Sequence, residues 1–312
     1  VLKVTEYPWI AVSGYGAHIK STQKTLIIQK KNIIDEYPIT EVKNLLVVGG
    51  HTLHSTAVLN LIRHGACISF FEADGTPAGS IRPPGDQDQA EMFDLQKAIP
   101  RQRFATALAQ TSVQARIFLM EREEELRNVR LFYEGELEFL RKSGEELAFL
   151  IKLDEIRRLH RLVSDMYYEI MSRNLPPELG FRRRSTRPHM DPVNAMLSFG
   201  YAMLFGNCTV SVLGARLDPD GGLLHDGKNS LIHDLIDPFR PAMVDAVVFQ
   251  IARETLRGED YELTPGRCIL SDDLIQEITG RLHTSIKMDS INRQVLNLAD
   301  AIRTGSEFKV LY

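Results

Sequence analysis

The sequence predicts an α+β chain: a small β-rich N-terminal domain, residues 1–82, a linker, residues 83–89, and a larger all-helical C-terminal domain, residues 90–312. Three observations predict this. The hydrophobic period changes along the chain, the change falls at a breaker-rich boundary, and 312 residues with 44% hydrophobic content suffice for two cores. Up to Arg82, the runs WIAVSG, TLIIQ, LLVVGG and CISFFEADG are short, rich in β-branched and aromatic residues and bounded by turn residues, so they read as strands. One helix is expected among them, Ser55–Arg63, with Gly65 to end it. Gly14-Tyr15-Gly16 lacks the third glycine and following helix of a dinucleotide fingerprint and reads as a hairpin turn. His51 and His54 in GGHTLHS have no neighbouring carboxylate, which favours a structural role. Pro83-Pro84-Gly85-Asp86 and the polar Gln87-Asp88-Gln89 form the boundary. Beyond it the period is helical. A charged helix is expected around Glu121–Arg141, with Glu121–Glu125 as a solvated face. Another carries Ile156, Leu159, Val163, Tyr167 and Ile170 at three- and four-residue steps.

Composition narrows the function. Cys67, Cys208 and Cys268 lie far apart without a CxxC pair, which suggests neither a disulfide framework nor a zinc knuckle and fits a reducing cytoplasm. The start, VLKVTEYPWIAVSGYG, has no charged-then-apolar leader, and runs such as Leu45–Val48 are too short to span a bilayer, so a cytoplasmic chain without a membrane partner is expected. A net charge of -4 argues against a generally basic nucleic-acid coat and leaves room for a local basic patch.

Two segments carry chemistry. Gly214–Asp245 gathers His225, Asp234 and Asp237 beside a Gly-rich turn. Gly221-Gly222 can supply positive φ, Ser230 is a good N-cap for a helix running toward Phe239, and Asp234 and Asp237 then share a helix face. An imidazole on a turn with a carboxylate on a facing helix makes a mixed nitrogen and oxygen site suited to Mn²⁺ or Mg²⁺. The alternative is a satisfied loop histidine with two solvated aspartates. The second segment, Phe181-Arg182-Arg183-Arg184-Ser185-Thr186-Arg187-Pro188, places four arginines in a loop that Pro188 and Pro192 keep from becoming helix. Guanidinium groups pair well with phosphate oxygens and can position a nucleic-acid backbone without reading its sequence; a solubility feature is the other reading.

After this loop come Asp191-Pro192-Val193-Asn194-Ala195-Met196-Leu197-Ser198-Phe199-Gly200-Tyr201, then Leu217-Asp218-Pro219, Gly222-Leu223-Leu224-His225, Ser230-Leu231, Asp234-Leu235, Phe239-Arg240-Pro241 and Val244-Asp245. In this order and spacing the run, Phe181 to about Asp245, strongly resembles the CRISPR-associated endonuclease/integrase family, the catalytic subunit that inserts new spacers into a repeat array. Val47–Ser55 and Ile68–Gly79 resemble the family's N-terminal signature, and the order of a β-rich part, a Pro-rich linker and a helical part is the family's architecture. The resemblance implies that His225 and Asp237 are metal ligands, with Asp234 in a supporting acidic role. It implies DNA contact by Arg182, Arg183, Arg184 and Arg187, double-stranded DNA as substrate, a homodimer through the β-rich half, and a small companion subunit of the adaptation complex.

The third ligand departs from the family. Where a glutamate is expected on the helix before the arginine loop, this chain has His160, within Leu159-His160-Arg161, seven residues before Tyr167; Pro238 is a lesser departure. If His160 ligates, two imidazoles and one carboxylate favour Mn²⁺ over Mg²⁺. If it does not, catalysis is weak or absent. Glu155 and Glu169 lack the helical offset that would replace it. The expected chemistry is phosphoryl transfer, with a divalent ion polarising a scissile phosphate as a DNA 3′-hydroxyl attacks, and Asn194 as a cap or structural hydrogen bond. The rivals are a non-catalytic DNA-binding or assembly subunit with a degraded metal site and a general structure-directed DNA or RNA nuclease.

Overall fold

The computed structural model describes residues 2–185 and 187–312; Thr186 of the arginine loop lies outside them. Strands predominate through Ile81 and helices follow. The strands are β1 (Trp9–Ser13), β2 (His18–Ser21), β3 (Thr25–Lys30), β4 (Ile33–Pro38), β5 (Asn44–Val48), β6 (Thr52–Leu53), β7 (Cys67–Phe71) and β8 (Pro77–Ile81), with β9 (Tyr261–Leu263) and β10 (Cys268–Leu270) as a late antiparallel pair. The helices are α1 (Ser55–Arg63), α2 (Asp88–Ala98), α3 (Arg101–Arg127), α4 (Glu136–Glu146), α5 (Leu153–Ser172), α6 (Pro192–Gly214), α7 (Ser230–Ile236), α8 (Ala246–Glu254), α9 (Asp272–Ser285) and α10 (Met288–Thr304).

The chain forms two compact units. The first holds residues through Ile99 with Phe205–Gly221 and Ile291–Glu307; the second holds Pro100–Leu204, Gly222–Ser290 and Phe308–Tyr312. In the first unit, one sheet has the order β1-β5-β7-β8 and the other β4-β3-β2-β6. β5 is buried at every position, Asn44 included, as the apolar run Leu45–Val48 requires of a strand paired in parallel on both sides. A core forms around Ile19, Leu26, Leu45, Leu61 and Ile68. α1 has the expected bounds, and Gly65 follows it at φ 78°. His51 is structural: its Nδ1 accepts from the Ala17 amide at 3.1 Å and its Nε2 lies 3.1 Å from the Val48 carbonyl. The Gly14–Gly16 segment corrects the hairpin expectation. It joins β1 to β2, which belong to different sheets, because β1 pairs with the distant β5.

In the second unit, the single charged helix expected over Glu121–Arg141 is two helices. α3 ends at Arg127, Asn128 takes a left-handed conformation at φ 51°, and α4 begins at Glu136. α6, which belongs to the second unit through Leu204 and to the first from Phe205, is long and apolar enough to cross a membrane by length and composition, unlike shorter runs such as Leu45–Val48, and 56% of its most apolar window is buried inside the protein. The three cysteines are free and buried.

Candidate active site

The site belongs to the second unit and is built from α3, α5, the 222–229 turn, α7 and the short 3₁₀ turn Asp237–Phe239 that follows α7. The apolar period of α5 buries Ile156, Val163, Tyr167, Ile170 and Met171 on one stripe, and His160 falls on that stripe. Glu155 and Glu169 are exposed, so of these three α5 residues it is His160 that the helix turns toward the buried stripe. On α3 the buried stripe includes Leu108, Ser112, Val113, Leu119 and Met120, with Arg116 among them at 2% exposure.

Asp237 is buried and is where these elements meet. Nη2 of Arg116 reaches both of its carboxylate oxygens, at 2.9 and 3.0 Å. Nη1 of Arg240 donates to Oδ1 at 2.8 Å, and Nε2 of His160 lies 2.9 Å from Oδ2. Burial opposes ionisation of Asp237, but the Arg116, His160 and Arg240 groups outweigh it and hold the carboxyl well below the usual carboxylate range. For His160, burial is the larger influence and lowers its basicity despite the carboxylate beside it. A neutral ring facing a carboxylate must donate, which places its proton on Nε2. Arg116 is driven the other way: burial disfavours its charge, and Asp237 overrides that and raises its basicity.

His225 has a different carboxylate. Its Nδ1 lies 2.6 Å from Oδ1 of Asp234, while its side chain remains 48% exposed. Asp234 is wholly buried and also accepts the amides of Leu223 at 2.7 Å, Leu224 at 2.8 Å and His225 at 3.2 Å. Its carboxylate therefore builds the turn and fixes the His225 tautomer with the proton on Nδ1. Arg101 and Arg157 hold the same turn from outside, bonding the carbonyls of Leu223, His225 and Leu224 and pairing with Asp226. Gly222 is required by close approach: a Cβ there would collide with the His225 carbonyl and with Ser230. The expected positive φ at Gly221-Gly222 falls instead on Gly227 and Asn229. Ser230 opens α7 and accepts the Gly222 amide at 3.0 Å, so it ties the turn to the helix and does not cap it. Both aspartates are buried, which removes the solvated reading.

The structure thus brings His160 onto Asp237 and His225 onto Asp234, with the two imidazole centroids 6.4 Å apart. Among the described residues, no three His, Cys, Asp or Glu side chains are placed to hold a metal ion. Both oxygens of Asp237 already face two guanidinium groups, whose charge repels a cation. The residues present do not fit a divalent ion at this centre.

In the arginine loop, Arg182, Arg183 and Arg187 are exposed. Arg184 is engaged inside the protein: it donates to Oδ1 of Asn194 at 2.6 Å and to Oγ of Ser198 at 2.7 Å, and lies over the Tyr201 ring. Asn194 also donates to the Arg183 carbonyl at 3.0 Å and to Asp191, the structural role expected of it. Nearby, Tyr167 and Tyr201 both donate to Asp245, which burial pushes up to about 6 despite those hydrogen bonds. Sequence reasoning missed Arg101, Arg116 and Arg157. Arg116 had a readable signal: an arginine at helical spacing within the apolar stripe of α3 demands a buried carboxylate partner.

The family model described as CRISPR associated protein Cas1 matches residues 10–283, and this chain belongs to the Cas1 family. It is 38% identical to the putative CRISPR-associated endonuclease Cas1 2 of Methanospirillum hungatei JF-1 over 96% of this chain and 99% of that one. It is 31% identical to the CRISPR-associated endonuclease Cas1 2 of Pyrobaculum aerophilum strain IM2, over 95% and 99% of the respective chains. Its fold is similar to that of a casposase bound to integration product, with TM-score 0.82 at 18% identity over 97% of this chain and 99% of the other. It is also similar to a chain of a partial Cas6-RT-Cas1–Cas2 complex, with TM-score 0.78 at 20% identity over 97% and 98%.

Proposed function

We propose that this Cas1 family member works in CRISPR spacer adaptation by holding double-stranded DNA and supporting assembly, without metal-dependent strand transfer at its own centre. The observation that carries this reading is the engagement of Asp237 by Arg116, His160 and Arg240, which leaves no set of ligands for a divalent ion among the described residues. DNA contact rests on Arg182, Arg183 and Arg187, exposed on a loop that Arg184 and Asn194 pin from within. Guanidinium groups displayed this way neutralise backbone phosphates and release counterions. The casposase neighbour is bound to integration product, and the other neighbour is a complex with Cas2; these support DNA and a small companion subunit as partners. In this reading the β-rich residues 1–82 supply a homodimer contact, residues 83–89 are the linker before the helical domain, and the protein acts in the cytoplasm.

A second reading, metal-dependent integration or endonuclease activity with Mn²⁺ or Mg²⁺, is favoured by one observation: the His225–Asp234 pair is intact, with the imidazole half exposed. It requires Arg116 to leave Asp237 when DNA arrives. Joining of a 3′-hydroxyl duplex into repeat-containing DNA, measured with Mn²⁺ or Mg²⁺ beside duplex binding, separates the two. The first reading predicts salt-sensitive binding, and joining by wild type no greater than by His225→Ala. Metal-dependent joining that His225→Ala abolishes would establish the second.

A further inference from the structure

We propose that Arg116 takes the place of a divalent cation at Asp237, and that Arg116 and His160 form one linked exchange: the centre becomes able to bind a metal only when both are changed. This rests on the reading of a metal-free centre and explains how such a centre is stable. The family resemblance expects a carboxylate at position 160, which together with Asp237 places two negative charges that a divalent ion balances. Here position 160 is an imidazole and Arg116 supplies a positive charge beside Arg240, so the two guanidinium groups more than balance the Asp237 carboxylate with no ion. Geometry agrees with charge. Nη2 of Arg116 reaches both oxygens of Asp237, so the face of the carboxylate that would otherwise be open to a cation is already occupied, and Nη1 is held at 3.0 Å by the Ser112 carbonyl one turn earlier on α3. Nε of Arg116 has no hydrogen-bond partner among the described residues, so Asp237 and Ser112 are what hold this buried guanidinium.

Single reversals then fail for separate reasons. In His160→Glu the retained guanidinium neutralises the new carboxylate. In Arg116→Met the freed Asp237 still faces Arg240, and a single carboxylate beside that guanidinium offers too little negative charge for a hard cation. The double change leaves two carboxylates and the His225 imidazole around a space without the Arg116 guanidinium, so two negative charges face the single remaining positive charge of Arg240.

The test titrates Mn²⁺ alone, followed by electron paramagnetic resonance of the free ion and by the Mn²⁺-dependent shift in unfolding temperature. Wild type, both single variants, Arg116→Met/His160→Glu and the more polar Arg116→Gln/His160→Glu are compared, with duplex DNA binding measured in parallel. Wild type and the singles are expected to show no saturable site. A folded double variant is expected to bind Mn²⁺ at least about tenfold more tightly than either single, and to lose that site on adding Asp237→Asn. Saturable Mn²⁺ binding by wild type that Asp237→Asn removes would overturn the proposal, whether or not the double variants fold. So would folded double variants with no gain. DNA binding abolished throughout would instead strike the DNA-holding reading and leave the metal result standing.

Discussion

Removing Arg116 and Asp237 separately and together measures how far the centre depends on their charge pairing. Arg116→Met breaks an ion pair of 2.9 Å between side chains exposed by only 2% and 9%. It leaves Asp237 buried with one cation, Arg240, which is itself partly exposed. Breaking a buried pair from one side costs about 3–5 kcal/mol when the remaining charge loses its main partner in a poorly polarisable interior, and Arg240 should place Arg116→Met at the lower end. Asp237→Leu should cost about as much, since Arg116 then has only the Ser112 carbonyl. With both charges gone, Arg116→Met/Asp237→Leu fills the space with apolar groups, and the loss should be no larger than for either single change. The coupling in this cycle should then reach about 3 kcal/mol, the upper end for side chains that touch. Urea unfolding followed by far-UV circular dichroism is the suitable assay. The only tryptophan, Trp9, lies in the first unit, so its fluorescence does not report on the unit that holds this pair. Additive losses summing to about 6–10 kcal/mol, or an Arg116→Met loss under about 1 kcal/mol, would refute the reasoning.

Three further outcomes follow from the same geometry. Asp245 has its carboxyl raised from 3.8 to about 6, so the folded state holds this proton where the unfolded chain has released it. Stability should therefore fall as pH rises from about 4 through about 6, by at most about 3 kcal/mol, and Asp245→Asn should remove that slope; an identical pH profile in the variant would contradict it. Replacing Arg182, Arg183 and Arg187 by Ala should weaken duplex binding, with the slope of log affinity against log salt dropping by about 0.9 for each phosphate that is no longer neutralised; an unchanged slope would place the DNA elsewhere. Asp234→Ala removes the acceptor of three backbone amides and one imidazole, at a cost of about 3 kcal/mol. Hydrogen exchange should accelerate at Leu223–His225, and retained protection there would count against the turn's dependence on this carboxylate.

Local pattern made much of the fold legible. The stripe on α5 follows from apolar spacing, and the end of α1 at Gly65 follows from backbone preference. The apolar run Leu45–Val48 within β5 reads as a core strand. Long-range choices were not legible in the same way. That β1 pairs with β5 and turns the Gly14–Gly16 segment into a link between sheets depends on a register set by residues thirty-five positions away (Trp9 with Asn44). The break after Arg127 depends on a left-handed Asn128 inside a charged stretch that local propensity carries through. At the site, motif and spacing singled out His225, Asp234 and Asp237, and the family resemblance singled out His160, but neither said which carboxylate each imidazole meets. Arg116 joins Asp237 across 121 positions, so no periodicity links the two. Its presence on a buried stripe was nevertheless a clue that a negative partner had to exist.

An anomalous difference map from a crystal of the protein with duplex DNA, soaked in Mn²⁺, looks at the centre itself. The Arg116 guanidinium should be seated on Asp237, with no manganese peak between Asp237 and His225. A peak shared by those two side chains, with Arg116 displaced, would contradict the metal-free reading.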